Sequence, residues 1–305
     1  MTTFLDCRAA SLDEVPEDAV AVIGIGGATP YPKSAPHSAS APAAIRAASL
    51  RLAPRRGHYD FDLGEPLIQA DTDLVDCGDL PFDARDLASN RSRIEAAFRT
   101  LLARGARPLL LGGDDSVQIP ALKAFAELRG ITLVQIDAHI DWRDEVEGER
   151  YGLSSTMRRA SEMPGIATIV QIGARGIGSA RLSDVEDALA FGARLVDMRT
   201  LRAKGVSHAL DAIPPNRPVV ICLDVDGLDP AAVPGVLGIA PGGLGYGDIV
   251  DLVHGVVAKA PIIGFNIVEF VPERDQGDIG TRTVCRLAML GAGILAMSAR
   301  RWPRP

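Results

Sequence analysis

Cysteine is scarce in this chain of 305 residues, and the four present (Cys7, Cys77, Cys222 and Cys285) never approach a Cys-x-x-Cys spacing. That excludes a disulfide framework and a thiolate zinc site, and leaves buried, inert thiols as the expectation. Positive charge is also in short supply: 32 Lys and Arg stand against 39 Asp and Glu, a formal net charge of −7. Nucleic acid and anionic membrane surfaces both require clustered basic residues, so neither is expected as a partner. A small molecule fits better, a cationic one in particular. The opening stretch MTTFLDCRAASLDEVPED has neither the basic nor the apolar region of a secretory signal, and no later run is expected to reach membrane-spanning length. A cytosolic location is the expectation. Internal repeats and long blocks of like charge are missing too, and nothing in the composition demands two domains.

What the chain does have is apolar residues, 47% of the total, enough for one large domain over residues 1–305 to bury a substantial core. Short β-branched runs recur: AVAVIGI (19–25), RPLLLGG (107–113), ITLVQID (131–137), ATIVQIG (167–173), RPVVICLDV (217–225) and PIIGFNIVEF (261–270). Such runs read as strands buried on both faces. Between them lie amphipathic stretches at 92–105, 119–130 and 247–260, and a C-terminal helix around 281–297. Strand and helix in alternation predict an α/β fold of three layers, with a mostly parallel central sheet between helices. The Pro-, Ser- and Ala-rich segment 26–44 follows the first strand, which favours a loop over the functional crevice rather than a domain boundary.

In open α/β sheets that crevice lies beyond the carboxyl ends of the strands. Three of these ends are acidic: Asp114-Asp115-Ser116, Asp137-Ala138-His139-Ile140-Asp141, and Asp224-Val225-Asp226 running on to Asp229. Residues two apart in extended chain point the same way, so Asp137, His139 and Asp141 can converge, as can Asp224 and Asp226. Converging carboxylates with no interleaved Lys or Arg repel one another, and a bound divalent metal is the natural counter-charge. Oxygen ligands with one imidazole suit Mn²⁺ or Mg²⁺, and a paired site shares carboxylates between two ions. Asx turns and helix caps are the alternative for any loop aspartate, and the preferred reading for Asp114, Asp229 and Asp248. His37, His58, His208 and His254 have no carboxylate partner nearby in sequence, and surface or satisfied core positions are expected for them.

The blocks LLLGGDDS, VQIDAHIDWRDE, ICLDVDGLDPAAVPG, APGGL and NIVEFVPERD resemble the ureohydrolases, the arginase and agmatinase family, in family order across roughly residues 20–295. GIG (24–26) and APAAIR (41–46) extend the resemblance weakly. It implies an arginase-like fold and two Mn²⁺ ions bridged by a hydroxide that attacks a guanidinium carbon, releasing urea and an amine. It further implies that Asp137 and Asp224 bridge both ions, that Asp141 completes one shell, and that His139 and Asp226 complete the other. Glu269 would hold the substrate guanidinium, and a homo-oligomer, trimer or hexamer, is expected.

Two positions depart from the family pattern. Asp115 stands where a histidine normally ligates the first metal. If it ligates, five carboxylates against two divalent ions leave about −1 where the usual site is neutral; if it does not reach, only the second ion binds tightly. Leu153-Ser154 replace a His-Gly pair. Ser154, Ser155 and Tyr151 are the polar substitutes, Tyr151 being the one able to donate a proton and the two serines candidates to contact substrate, with plain loop structure the preferred reading for all three. Arg143, Asp144 and Glu147 could meet a charged substrate tail, but a solvated charged loop is the preferred reading for them. Three readings follow: a metal-dependent, agmatinase-like hydrolase of a linear guanidino or amidino compound, with Asp141 and Glu269 as its catalytic carboxylates; a non-catalytic homologue serving as a structural or regulatory subunit; and, less favoured because such sites use more histidine and a catalytic tyrosine, a deacetylase-like metal hydrolase on a related fold.

Overall fold

The computed structural model describes residues 2–31, 36–178 and 180–303. Eleven strands occur among them: β1 (Arg8–Ala9), β2 (Val20–Ile25), β3 (Tyr59–Asp60), β4 (Glu65–Pro66), β5 (Leu74–Leu80), β6 (Arg107–Gly112), β7 (Ile131–Ile136), β8 (Ile166–Ile172), β9 (Arg194–Val196), β10 (Val219–Asp224) and β11 (Ile262–Val268). The helices are α1 (Ala41–Ser49), α2 (Leu87–Ala103), α3 (Gln118–Ala126), α4 (Thr156–Ser161), α5 (Leu182–Phe191), α6 (Met198–Lys204), α7 (Val206–Asp211), α8 (Tyr246–Lys259) and α9 (Ile279–Arg301). Each of the six apolar runs read from the sequence is a strand, shifted by one or two residues at its ends. The short strands β1, β3, β4 and β9 and the polar strand β5 were not legible in that reading.

Nine strands form one sheet in the order β1-β5-β2-β6-β11-β10-β7-β8-β9, with parallel pairing throughout; β3 and β4 form a small antiparallel hairpin. Alternation along each strand feeds two cores. Val20, Val22, Leu109 and Leu111 face the side covered by α1, α8 and α9, while Ala21, Ile23, Ile25 and Leu110 face α2 and α3. Because both faces are covered, β2, β6, β7 and β10 are buried at every position, which is why they read as unbroken apolar runs.

One expectation is corrected here. α9 is 23 residues long and apolar enough, by length and composition, to cross a membrane. It packs against β11, β6, β2, α1 and α8, and 72% of its most apolar window is buried. A long helix laid across the middle of a sheet must be apolar over most of its circumference, so it meets the same criterion as a span.

The topology decides where function sits. The chain builds β6, passes over two strand positions to build β7, and later inserts β10 and β11 between them. The carboxyl ends of β6, β11, β10 and β7 are thereby brought side by side at the centre of the sheet. Backbone bonds lace two of these ends together, with Glu269 N–H donating to the Gly113 carbonyl at 2.8 Å.

Candidate metal centre

Every acidic residue nominated from the strand ends is buried in this central crevice. Asp115 follows β6, Asp137 and Asp141 follow β7, Asp224 ends β10, Asp226 lies just beyond it, and Glu269 follows β11. Five of these six line one cavity of about 390 Å³; Asp137 lies behind them. A more open depression of about 1320 Å³ lies at the start of β5, lined by residues such as Asp6, Arg8, Arg56 and Thr72, but it gathers no comparable set of reactive groups. Chemistry rather than size singles out the smaller cavity.

Asp137, His139 and Asp226 offer ligand atoms that all lie within 4.8 Å of one another. His139 Nδ1 is 3.1 Å from Asp226 Oδ2 and 3.3 Å from Asp137 Oδ1. Asp137 and Asp141 meet on the other side at Gln135, whose amide donates to Asp137 Oδ2 at 2.6 Å and Asp141 Oδ2 at 2.7 Å. The turn reading and the ligand reading of these aspartates coexist. Asp137 Oδ1 accepts the His139 N–H at 2.6 Å and Asp224 Oδ1 accepts the Asp226 N–H at 2.8 Å.

Two buried amide relays set the orientation of the carboxylates. Trp142 donates to Gln171, Gln171 to Gln135, and Gln135 to the Asp137–Asp141 pair. Asn266 donates to Gln118, and Gln118 to Asp115 Oδ1. Asp115 Oδ2 is left buried with no hydrogen-bond partner among the described residues. An unpartnered buried carboxylate oxygen is costly, so this atom has the character of a ligand waiting for a cation. Asp141 at φ 50° and Glu269 at φ 68° are both in the left-handed region that side chains other than glycine rarely occupy, and such strain gathers at functional positions.

The electrostatics show what the cluster lacks. Burial first, and then neighbouring carboxylates, push Asp115, Asp141, Asp224 and Asp226 above the ordinary range. Asp137 alone goes down: burial opposes the shift, but hydrogen bonding to His139 outweighs it. Burial likewise opposes ionisation of His139, yet its bonds to Asp137 and Asp226 push it up to about 11. Arg175 lies beside Asp226, but its guanidinium is spent on the carbonyls of Asp226, Gly227, Leu228 and Ala240. The donor set is thus five aspartates and one imidazole around a deficit of positive charge, and it fits hard or borderline divalent ions such as Mn²⁺.

Several expectations about surrounding residues change. His37, expected at a surface or satisfied core position, brings Nε2 to 2.5 Å from Glu269 Oε2. Burial works against its protonation, but the bond to Glu269 outweighs this and raises it. Glu269 Oε1 accepts the Asp115 N–H at 2.7 Å, so both oxygens of this carboxylate are held. Tyr151 does not face the cavity; it is exposed and lies under the Arg91 guanidinium. Ser154 lines the cavity and donates its N–H to the Tyr31 hydroxyl, whereas Ser155 is fully buried outside the lining. Leu153 does line it, an apolar residue on the wall where a histidine was missing. Asp144 turns outward to Arg150 and Arg159. Asp114, Asp229 and Asp248 take the turn and cap roles read for them, and His254 is satisfied by the Asp62 carbonyl. Within the 26–44 loop, positions 32–35 lie outside the described residues.

Comparison with known proteins agrees with this geometry. Residues 18–292 match the model of the arginase family. The chain is similar to the mitochondrial arginase 1 of Arabidopsis thaliana, 33% identical over 214 residues, covering 67% of this chain and 61% of that protein. It therefore spans about three fifths of the length of the plant arginases it matches. Proclavaminate amidinohydrolase of Streptomyces clavuligerus is 32% identical over 251 residues, 80% of this chain and 76% of that one. Its solved structure superposes with a TM-score of 0.83 at 30% identity, covering 99% of this chain and 98% of that chain. An agmatinase of Neisseria meningitidis is 34% identical over 245 residues, 78% of this chain and 75% of the relative.

Proposed function

The chain belongs to the arginase family, and from that premise we propose that it is a divalent-metal-dependent hydrolase of a linear guanidino or amidino compound. In its chemistry it is agmatinase-like, releasing urea and an amine. The observation that carries the reading is the meeting of six buried carboxylates and His139 at the carboxyl ends of four adjacent central strands.

Asp115, Asp137, His139, Asp141, Asp224 and Asp226 are the residues that would hold two ions, Mn²⁺ being the ion this donor set favours. Bound there, the ions supply neutralisation of the cluster and the Lewis acidity that activates water near neutral pH. The chain's own residues do the rest. Glu269 presents a carboxylate fixed from both sides, by the Asp115 N–H and by His37, and each oxygen keeps a lone pair for the N–H groups of a planar guanidinium. Gln135 holds Asp137 and Asp141 in register, and Gln118 holds one oxygen of Asp115 so that the other faces inward. Leu153 keeps the wall dry.

We further propose a cytosolic homo-oligomer. Four free thiols, three buried and one partly buried, are consistent with a reducing compartment. The test is metal content per chain after loading with Mn²⁺, together with urea release from guanidino compounds. Two ions and urea are expected. One ion or none, without urea, would favour the non-catalytic homologue.

A further inference from the structure

The cavity over the metal centre is polarised along its depth. At the buried end stand Asp115, Asp141, Asp224, Asp226 and Glu269. At the solvent end stand two arginines, Arg143 and Arg181, and no acidic residue lines that end among the described residues. Val146, Leu153 and Leu237 supply the apolar lining.

The two arginines share one anchor. Asp184, itself buried, accepts the Arg181 backbone N–H at 2.7 Å and lies 3.1 Å from Arg143 Nη1. Arg143 also donates to the Gly178 carbonyl at 3.3 Å, which pins its side chain against the wall. The single charge of Asp184 balances one arginine. The guanidinium of Arg181 has no ion-pair or hydrogen-bond partner among the described residues, so the mouth carries one uncompensated positive charge.

We propose that the substrate's tail is anionic: the site takes an ω-guanidino or ω-amidino carboxylate, its cationic end at Glu269 and its carboxylate at Arg181 beside Arg143. This rests on reading the cavity as a guanidino site and narrows the substrate class within it. A fork of guanidinium N–H donors matches a carboxylate in two-point geometry, whereas an ammonium tail would meet two arginines and no acid. The methylene stem between the two ends finds Leu153, the residue whose apolar character is otherwise unaccounted for at this position. A volume of about 390 Å³ is at the lower end of small-ligand cavities, as a short linear compound requires.

The experiment is calorimetric titration of the Mn²⁺-loaded protein with 3-guanidinopropanoate, 4-guanidinobutanoate and 5-guanidinopentanoate, and with the ω-guanidino amines of the same chain lengths. Urea release is followed on the same samples. At least one carboxylate should bind about tenfold or more tighter than its matched amine. Arg181→Glu should reverse that order, and Arg181→Lys should largely keep it. Arg181 is exposed, so these variants should fold as the parent does. Amines binding as tightly as carboxylates, no binding by either series, or an unchanged ratio in Arg181→Glu would each overturn the proposal. Preferential carboxylate binding without urea release would instead overturn the hydrolytic reading and leave the tail assignment standing.

Discussion

Glu269 is held by Asp115 and His37 in a backbone conformation that costs energy, and its value must lie in where the carboxylate points. Glu269→Gln keeps the shape and removes the charge. Metal content should therefore stay at the parent value while kcat/KM falls by about 10²-fold or more, as expected when a charge-assisted pair to a cationic substrate is lost. Turnover unchanged in this variant would remove Glu269 from the substrate site. His37 acts on Glu269 from 232 residues away in sequence, and it is not among the residues lining the cavity. His37→Ala should leave metal stoichiometry intact and raise KM by roughly tenfold, with His37→Gln recovering part of the loss by restoring a donor. Equal kinetics in His37→Ala and the parent would mean that the Asp115 N–H alone positions the carboxylate. Asp115→His gives the family's usual ligand type. If Asp115 Oδ2 already ligates, titration with limiting Mn²⁺ should show no gain in occupancy; a gain would show that the aspartate falls short.

Individual elements carry the next set of constraints. Gln135 is the penultimate residue of β7, and the relay from Trp142 through Gln171 to Gln135 runs between β8 and the turn after β7. Removing a middle member leaves a buried donor and acceptor unpaired. Gln171→Leu should cost about 1–3 kcal/mol of stability, read by chemical denaturation, and should loosen the Asp137–Asp141 pair enough to weaken Mn²⁺ binding. Full stability together with unchanged Mn²⁺ affinity would show that the relay is incidental. At the end of β6, a Cβ on Gly113 would lie 2.2 Å from the Gly26 carbonyl oxygen, and on Gly227 it would lie 2.8 Å from the Asp137 backbone nitrogen. The loops after β2, β6, β7 and β10 touch backbone to backbone there, so glycine is required by proximity rather than by chain conformation.

At the scale of the molecule, the buried carboxylates set the pH response. Asp115, Asp141, Asp224 and Asp226 are raised by burial and by one another, so the folded protein holds protons that the unfolded chain releases. Their contribution is full below the ordinary carboxylate value of 3.8 and declines as pH rises through their shifted values. His139 acts in the same direction: raised from 6.5 to about 11, it stabilises the metal-free fold below 6.5 and loses that contribution as pH climbs toward 11. The melting temperature of metal-free protein should therefore fall as pH rises from weakly acidic to neutral. Mn²⁺ must displace these protons, so the increment it adds to Tm should grow over the same range. Scanning fluorimetry at several pH values checks both trends, and a pH-independent increment would sink this account of the cluster.

Much of this was present in the linear chain. The six long apolar runs, the Asp137-x-His139-x-Asp141 and Asp224-x-Asp226 pairs at their ends, and the caps at Asp114, Asp229 and Asp248 follow from local rules: side chains alternate every second residue, and aspartates accept from backbone N–H groups two residues on or, at a helix start, three residues back. Strand β5, with Asp76 and Asp79 among its seven residues, was not legible because those acids are satisfied by Arg46, which lies in α1. Only the tertiary structure inserted β10 and β11 between β6 and β7, and so turned separate acidic ends into one cluster. It also carried His37 to Glu269, aimed Tyr151 away, and set Arg143 and Arg181 on a shared aspartate at the mouth. The division has one physical cause. The period of a strand and the reach of a turn are properties of a few consecutive residues, whereas which strand ends become neighbours is decided by how the whole sheet buries both of its faces.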